Sequence, residues 1–146
     1  MIPLRLMSLA FGLALAGTAS AADTSGGSAP SPAPLAAEAD SLCAAPHVLS
    51  GVISRFNWAE RNTFKRGFEL SALANPRANP DPVLNVGIIP RRYCMAEAMM
   101  SNGTRSTAYY VVLMGQGLAG IGDGLDFCIL GLDPWRVHDG ECRTVR

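Results

Sequence analysis

The sequence predicts an α+β fold, in which one N-terminal helix packs on a small antiparallel sheet of about four strands and two disulfides hold the domain together. Three observations lead to this prediction. One segment has helical periodicity, several short extended runs are separated by turn residues, and an even number of cysteines follows a secretory signal. A single folded domain is expected over residues 41–146, a length that suffices for one hydrophobic core.

Residues 1–22 have the layout of a cleaved signal peptide. Arg5 precedes an apolar stretch from Leu6 to Gly17, and small residues follow up to Ala22. The apolar stretch is shorter than the roughly 20 residues of a membrane span, and no cysteine stands at the cleavage site to carry a lipid. We therefore expect a periplasmic or secreted protein that has no stable membrane anchor after signal cleavage.

Residues 23–40 consist mainly of Pro, Ser, Ala and Gly and contain no aromatic side chain. Such a segment buries too little apolar surface to offset the entropy that is lost when a chain becomes ordered. It is predicted to be a flexible tether of polyproline character between the signal peptide and the domain.

All four cysteines follow the predicted cleavage site, and an even number in an exported chain is typical of a disulfide framework. Three pairings are possible. We favour Cys128 with Cys142, because the segment between them is predicted as a strand, a turn-rich loop and a return. That choice leaves Cys43, just before the helix, to pair with Cys94.

Two other kinds of site find little support in the composition. A metal site would use His47 or His138 with nearby cysteines, but the chain lacks the Cys-x-x-Cys pair of common zinc sites, so we expect no metal. The formal net charge is zero, which excludes the strongly basic surface that nucleic-acid binding requires. The adjacent Arg91 and Arg92 are interpreted as a solvated strand entrance.

The helix is predicted over His47–Gly67, where apolar residues recur at steps of three and four. The charged residues Glu60 and Arg61 fall largely off the apolar face, and Gly67 is the predicted stop. The period changes to two at Phe68–Ala74, which predicts a half-buried strand. A loop is expected from residue 74 to residue 82, because three prolines there each remove a backbone donor. The apolar face of the predicted helix comprises Leu49, Val52, Ile53, Phe56 and Ala59.

The clearest local signal is Asn102-Gly103, which separates two extended runs and favours a two-residue hairpin turn. In that register Met100 faces Arg105. The face assigned to the helix and core comprises Cys94, Ala96, Ala98, Tyr109 and Val111. The opposite face is unusually apolar and is expected either to be covered or to bind a partner; it comprises Tyr93, Met95, Met99, Tyr110 and Val112.

The stretch Gly115–Gly120 matches the G-x-G-x-x-G fingerprint of dinucleotide-binding proteins. That fingerprint works only where a strand runs through the glycines into a helix, whose N-terminus holds the pyrophosphate. Here Gly122 and Gly124 follow, and each glycine disfavours a helix by roughly 1 kcal/mol relative to alanine. We interpret the stretch as a connection between strands and predict no cofactor.

The densest polar and aromatic cluster is Asp133–Cys142, which contains Trp135, Arg136 and His138. An exposed Trp beside an Arg is typical of binding surfaces, and a His among carboxylates is able to act as an acid or base. The simplest alternative is a disulfide-closed surface loop with Trp135 turned inward. Patterns of serine hydrolases, zinc peptidases and calcium loops are absent from the sequence.

The layout RRYC…NG…YY…GQG.AGIG…FC..GLD…C resembles a group of small exported proteins of proteobacteria that have no assigned activity. This resemblance implies a location in the bacterial envelope and transfers no functional residue. The function expected from the sequence is a non-catalytic periplasmic or secreted module that binds a protein or another envelope component. Alternatives are an envelope hydrolase that uses His138 and a structural metal-site protein. The expected contact residues are Trp135, Arg136, His138, Tyr93 and Tyr110.

Overall fold

The computed structural model describes residues 32–82 and 88–146, so the predicted signal peptide lies outside the described part. A helical layer packs on one four-stranded antiparallel sheet of strand order β1-β2-β3-β4. The α+β fold class predicted from the sequence is confirmed. The helices are α1 (Pro32–Cys43) and α2 (Pro46–Ala59), and a π-helical turn (Glu60–Phe64) extends α2. The strands are β1 (Leu70–Ala78), β2 (Arg91–Met100), β3 (Arg105–Leu113) and β4 (Gly124–Ile129).

Helix α1 occupies the last part of the segment predicted as a tether. Ala39 and Cys43 are buried, and the Asp40 carboxylate accepts a hydrogen bond from the backbone N–H of Ala78 in β1 (2.6 Å). The segment is rich in alanine, which has the highest helix propensity. Packing against the sheet stabilises the helix further, and the composition of the segment does not reveal this packing. The tether prediction is therefore wrong for residues 32–40.

Helix α2 and its π-helical turn correspond to the predicted helix. Val48, Val52 and Phe56 are buried against the sheet. The helical segment ends at Phe64. The next residue, Lys65, adopts the left-handed conformation (φ 53°), two residues before Gly67, the predicted stop. Asn57 then joins the helix to the sheet, because its side-chain amide donates to the carbonyl oxygen of Leu70 (3.0 Å) and accepts from the Leu70 N–H (2.8 Å).

Strand β1 continues through the segment predicted as a proline-rich loop. Pairing with β2 resumes at Arg77 after an irregularity between Ala74 and Arg77, and Asn75 inside it has positive φ (52°). A strand at the edge of a sheet tolerates Pro76 because one side of its backbone has no strand to pair with. The loop therefore begins at residue 79, five residues later than predicted.

The hairpin forms at Asn102-Gly103 as predicted, but its register differs by one residue. Cys94 pairs with Tyr110, and Met99 pairs with Arg105. The turn is a three-residue loop in which Gly103 alone has positive φ (82°). A shift of one residue moves every side chain of one strand to the opposite face.

The corrected register changes which side chains face the helices. Tyr110 and Val112 are buried in the main core beside Cys94, Ala96 and Ala98, so their predicted place on the outer face is wrong. The outer face of β2 and β3 instead carries Tyr93 and Val111, together with partly buried Tyr109 and Leu113. Cys142 and Val145 of the C-terminal segment pack on this face. The C-terminal segment therefore covers the part of this face around Tyr93 and Val111, while Met95 and Met99 stay half-buried.

Both favoured disulfides are present, Cys43–Cys94 and Cys128–Cys142. The first links the end of α1 to β2, and the second ties the C-terminal segment to β4. Bridges of this kind are typical of proteins outside the cytoplasm. Across residues 32–82 and 88–146, none of the helices combines the length and apolar character needed to cross a bilayer.

Candidate functional site

A shallow cleft lies between the C-terminal end of α2 and the loop that follows β4. We call it the Trp135 groove, after the exposed side chain carried by that loop. It has a volume of about 200 Å³. Its apolar lining includes Phe56, Phe64, Phe127, Leu132 and Val137, and its polar lining includes Arg66, Asp126, Asp133 and His138.

Trp135 projects outward rather than inward. Its side chain is 66% exposed, and its ring lies 4.8 Å from the ring of Phe64 at an interplanar angle of 56°. The interpretation in which Trp135 turns into the protein is therefore wrong. The indole therefore contacts Phe64 in a tilted arrangement, and most of its surface stays accessible.

Arg66 connects the groove to the end of the helical segment. Its guanidinium carbon lies 4.6 Å from the centre of the Phe64 ring, and the same guanidinium pairs with the carboxylate of Glu60. It also donates a hydrogen bond to the carbonyl oxygen of Leu132 (3.2 Å). One cation therefore links three parts of the site: the π-helical turn, the aromatic wall and the loop after β4.

Glu60 is 2% exposed, although the helical pattern placed it largely off the apolar face. The π-helical turn changes the direction in which the last side chains point, compared with a regular α-helix. Arg66 supplies the positive charge that compensates the buried Glu60 carboxylate. The sequence carries no local signal for this pair, because the two residues lie on opposite sides of the left-handed Lys65.

Asp133 organises the loop that carries Trp135. Its carboxylate accepts hydrogen bonds from the backbone N–H groups of Val137 (3.1 Å) and His138 (2.8 Å). Its carbonyl oxygen accepts from the N–H of Arg136 (3.2 Å), which has positive φ (51°). Asp residues stabilise turns in this way by bonding to backbone groups a few residues ahead. These hydrogen bonds connect Asp133 to the backbone of the next five residues and stabilise the turn that carries Trp135.

His138 lies between a carboxylate and a hydroxyl. Its Nε2 is 3.5 Å from Asp126 Oδ1, and its Nδ1 is 3.2 Å from Thr144 Oγ1. The imidazole is 13% exposed, whereas Asp126 is 54% exposed. The order carboxylate, imidazole, hydroxyl is that of a nucleophilic triad. The Nδ1–Oγ1 separation is at the long end of the hydrogen-bond range, and the Nε2–Oδ1 separation is longer than that range.

The five predicted contact residues do not form one surface. Trp135, Arg136 and His138 belong to the same loop, and Trp135 and Arg136 are exposed. Tyr93 is 8% exposed and lies under the C-terminal segment on the outer face of the sheet. Tyr110 is fully buried, so the structure does not place it at any accessible surface.

Tyr110 has a structural contact instead. Its hydroxyl donates a hydrogen bond to the carbonyl oxygen of Cys43 (2.7 Å), which links β3 to the end of α1. Burial raises the pKa of this phenol well above its usual value. Tyr110 is therefore neutral throughout the physiological range and keeps its proton for this hydrogen bond.

Asp139 is the other group with a shifted pKa. The backbone N–H of Gly140, which donates to its carboxylate (2.7 Å), and the charge of Arg143 lower the pKa of this exposed side chain. The carboxylate stays ionised and caps the turn that leads to Cys142.

The glycine-rich stretch connects β3 to β4, as predicted. It contains only a single 3-10 turn (Leu118–Gly120) before β4 begins at Gly124. A Cβ atom on Gly117 would lie 2.0 Å from the carbonyl oxygen of Ile121, so this glycine permits a close backbone approach. The loop therefore differs from the strand-to-helix context of the dinucleotide fingerprint.

Within the described part of the chain, no group of three or more His, Cys, Asp or Glu side chains is arranged to hold a metal ion. Comparisons with family models, with curated proteins and with solved structures find no match to this chain.

Proposed function

We propose that the protein is an exported, non-catalytic binding module that captures a segment of a protein partner in the cell envelope through the Trp135 groove. The observation that carries this proposal is the exposed Trp135 ring, which contacts Phe64, one of the residues that line the groove. Two disulfides and the predicted signal peptide support a site of action outside the cytoplasm.

The size of the groove favours a polypeptide over a small molecule. Its volume of about 200 Å³ is below the range of roughly 300–1,000 Å³ that is typical of sites for small ligands. It suits one large apolar side chain of a partner, while Trp135 covers that side chain from the rim. Buried aromatic and arginine residues around a single pocket are the usual energetic centre of a protein interface.

The charges around the groove indicate what should flank the apolar anchor. Arg136 follows Trp135 and is exposed, so it is available to a carbonyl or carboxylate oxygen of the partner. Asp126, which is 54% exposed, lines the groove near His138. We therefore expect the preferred segment to carry an acidic or carbonyl-rich side towards Arg136 and a donor towards Asp126.

The proposal is tested by selecting peptides from a displayed random library against the oxidised protein. We expect enriched peptides to share a large apolar residue and to lose at least tenfold in affinity for Trp135→Ala, as is typical of a central aromatic contact. Trp58→Ala is the matched control, because Trp58 is 60% exposed on α2 outside the groove. Peptides that bind Trp135→Ala as tightly as the wild type, or a selection that enriches none, would contradict the proposed surface.

A second candidate function is hydrolysis of an ester or amide, which the contacts of His138 favour. In that chemistry His138 Nδ1 takes the proton of the Thr144 hydroxyl as its oxygen attacks the carbonyl carbon. The same imidazole then protonates the leaving group, and water releases the acyl group from Thr144. Asp126 would hold the Nε2 proton and stabilise the imidazolium.

The hydrolase candidate is tested with a panel of chromogenic esters and peptides. It predicts turnover by the wild type that falls at least a hundredfold in both His138→Ala and Thr144→Val, since the two residues would act as one unit. Arg143→Ala is the control on the neighbouring position. Absence of turnover, or turnover that survives both substitutions, rules out this candidate and leaves the binding module untouched.

A further inference from the structure

The Trp135 groove runs along one edge of the sheet. Strand β4 is the last in the strand order, so β3 is its only partner in the sheet of the described residues. Four consecutive residues of β4, Asp126–Ile129, line the groove. An edge strand leaves part of its backbone N–H and C=O groups unpaired, and an extended segment of another chain is able to pair with them. The groove is therefore bordered by backbone groups as well as by side chains.

The backbone groups of β4 that point away from β3 belong to alternate residues. The N–H of Leu130 donates to the carbonyl oxygen of Thr107 (2.9 Å), and hydrogen-bonded pairs recur at every second residue of an antiparallel ladder. The odd-numbered residues of β4 therefore occupy the non-hydrogen-bonded positions. The residues whose N–H and C=O groups point away from β3 are Leu125, Phe127 and Ile129.

Other parts of the chain already use two of these outward carbonyl groups. The guanidinium of Arg55 in α2 donates to the carbonyl oxygen of Leu125, and the N–H of Leu132 donates to that of Ile129 (2.9 Å). Contacts of this kind are a usual protection of edge strands against the addition of a long strand. The position left for a short pairing is Phe127, between the two protected carbonyl groups.

Phe127 is held at this edge only by a neighbouring side chain. Its N–H donates to Asp126 Oδ1 (2.9 Å), and no described residue donates to its outward carbonyl oxygen. The Asp126 side chain is 54% exposed, so water replaces the N–H as its donor when a partner takes that N–H. A carbonyl group of a partner therefore displaces this contact without leaving a buried charge.

We infer that the partner segment binds in an extended conformation and pairs with Phe127 as a short additional strand beside β4. One residue of the segment accepts a hydrogen bond from the Phe127 N–H and donates one to the Phe127 carbonyl oxygen. Because directly opposite residues of a sheet share a face, the side chain of that residue lies beside the Phe127 ring in the groove. This inference rests on the proposed function and specifies how the same site recognises its partner.

Two other occupants match the edge less well. A helix pairs its backbone groups within itself, so it would leave the Phe127 carbonyl oxygen without a partner. A second copy of this chain would bring its own β4, on which the contacts of Arg55 and Leu132 again restrict pairing to Phe127. An extended segment of a partner carries no such flanking elements, and its side chains are able to enter the groove.

The test uses peptides selected against the oxidised protein and resynthesised with an N-methyl group on one backbone nitrogen at a time. Strand pairing predicts one central position at which N-methylation lowers affinity at least tenfold, because it removes the donor to the Phe127 carbonyl oxygen. The two adjacent nitrogens point away from β4, so their N-methylation should lower affinity less than about threefold. Losses at a run of contiguous positions indicate a bound helix, and equal effects at all positions indicate contact through side chains alone. Either result overturns the inference.

Amide hydrogen exchange with the unmodified peptide gives a second, independent measurement. Phe127 and Val137 both line the groove, and each donates its N–H to an aspartate carboxylate, so Val137 is the matched control. We expect the bound peptide to slow exchange at Phe127 at least tenfold more than at Val137. Equal slowing of the two amides contradicts strand pairing.

These outcomes separate the inference from the proposed function. Peptides that require Trp135 but show neither the alternating N-methyl pattern nor the slowed exchange at Phe127 overturn strand pairing and leave the binding module in place. A selection that enriches no peptide overturns both. Light scattering that shows a dimer of the free protein, dissociated by added peptide, assigns this edge to a second copy and also overturns the inference.

Discussion

Replacing Cys43 and Cys94 together by alanine is expected to lower the free energy of unfolding by about 4 kcal/mol. The bridge joins residues 51 positions apart, and a loop of this size gives roughly that value when the constraint on the unfolded chain is considered. Both cysteines are fully buried in the main core, so the variant also loses packing. The measurement is urea unfolding of the double variant against the wild type.

The second bridge is the matched control. Cys128–Cys142 spans 14 positions, for which the same chain-entropy argument gives about 3 kcal/mol. Its removal should have the larger effect on peptide affinity, because this bridge closes the segment that contains Trp135. An equal loss of peptide affinity in both double variants would contradict the separate roles assigned to the two bridges.

Glu60→Ala is expected to cost about 2–4 kcal/mol of stability, since removing one member of a buried ion pair leaves the other charge without compensation. The Glu60 side chain is 1% exposed and Arg66 is 25% exposed, which places the expected cost below that of a fully buried pair. The same change should weaken peptide binding, because Arg66 also contacts Phe64 and the Leu132 carbonyl.

The exposed pair of Arg105 and Glu97 offers the comparison. Its charged atoms are 3.1 Å apart, and the two side chains are 65% and 35% exposed. Glu97→Ala should therefore change stability by less than about 1 kcal/mol. If Glu60→Ala is no more destabilising than Glu97→Ala in urea unfolding, the Glu60–Arg66 pair does not hold the end of the helical segment.

The sequence was sufficient for the fold class and the disulfide pairing, because helical periodicity, turn residues and cysteine positions act locally or through simple elimination. The hairpin register was not accessible in the same way. Asn102-Gly103 suits a two-residue and a three-residue turn almost equally, since each places Gly103 at positive φ. The choice is made by packing, which buries Tyr110 where its hydroxyl reaches the Cys43 carbonyl.

Only the part of the candidate site that lies in one local segment was predicted from the sequence. Trp135 and His138 lie in one polar and aromatic segment, so a short window of sequence found them. Phe64, Arg66 and Phe127 come from other elements, and only the folded chain brings them to the same groove. Glu60 escaped notice because a carboxylate on a helix is normally solvated, and its burial depends on a partner beyond the end of that helix.

The most direct test of the Trp135 groove is a map of backbone amide chemical shifts in the labelled protein as a selected peptide is added. Binding at the groove predicts the largest changes at residues 132–138 and 64–66, with little change at Leu118 and Ile121. Changes centred on the loop between β3 and β4, or spread over the outer face around Tyr93, would contradict the assignment of the groove as the binding surface.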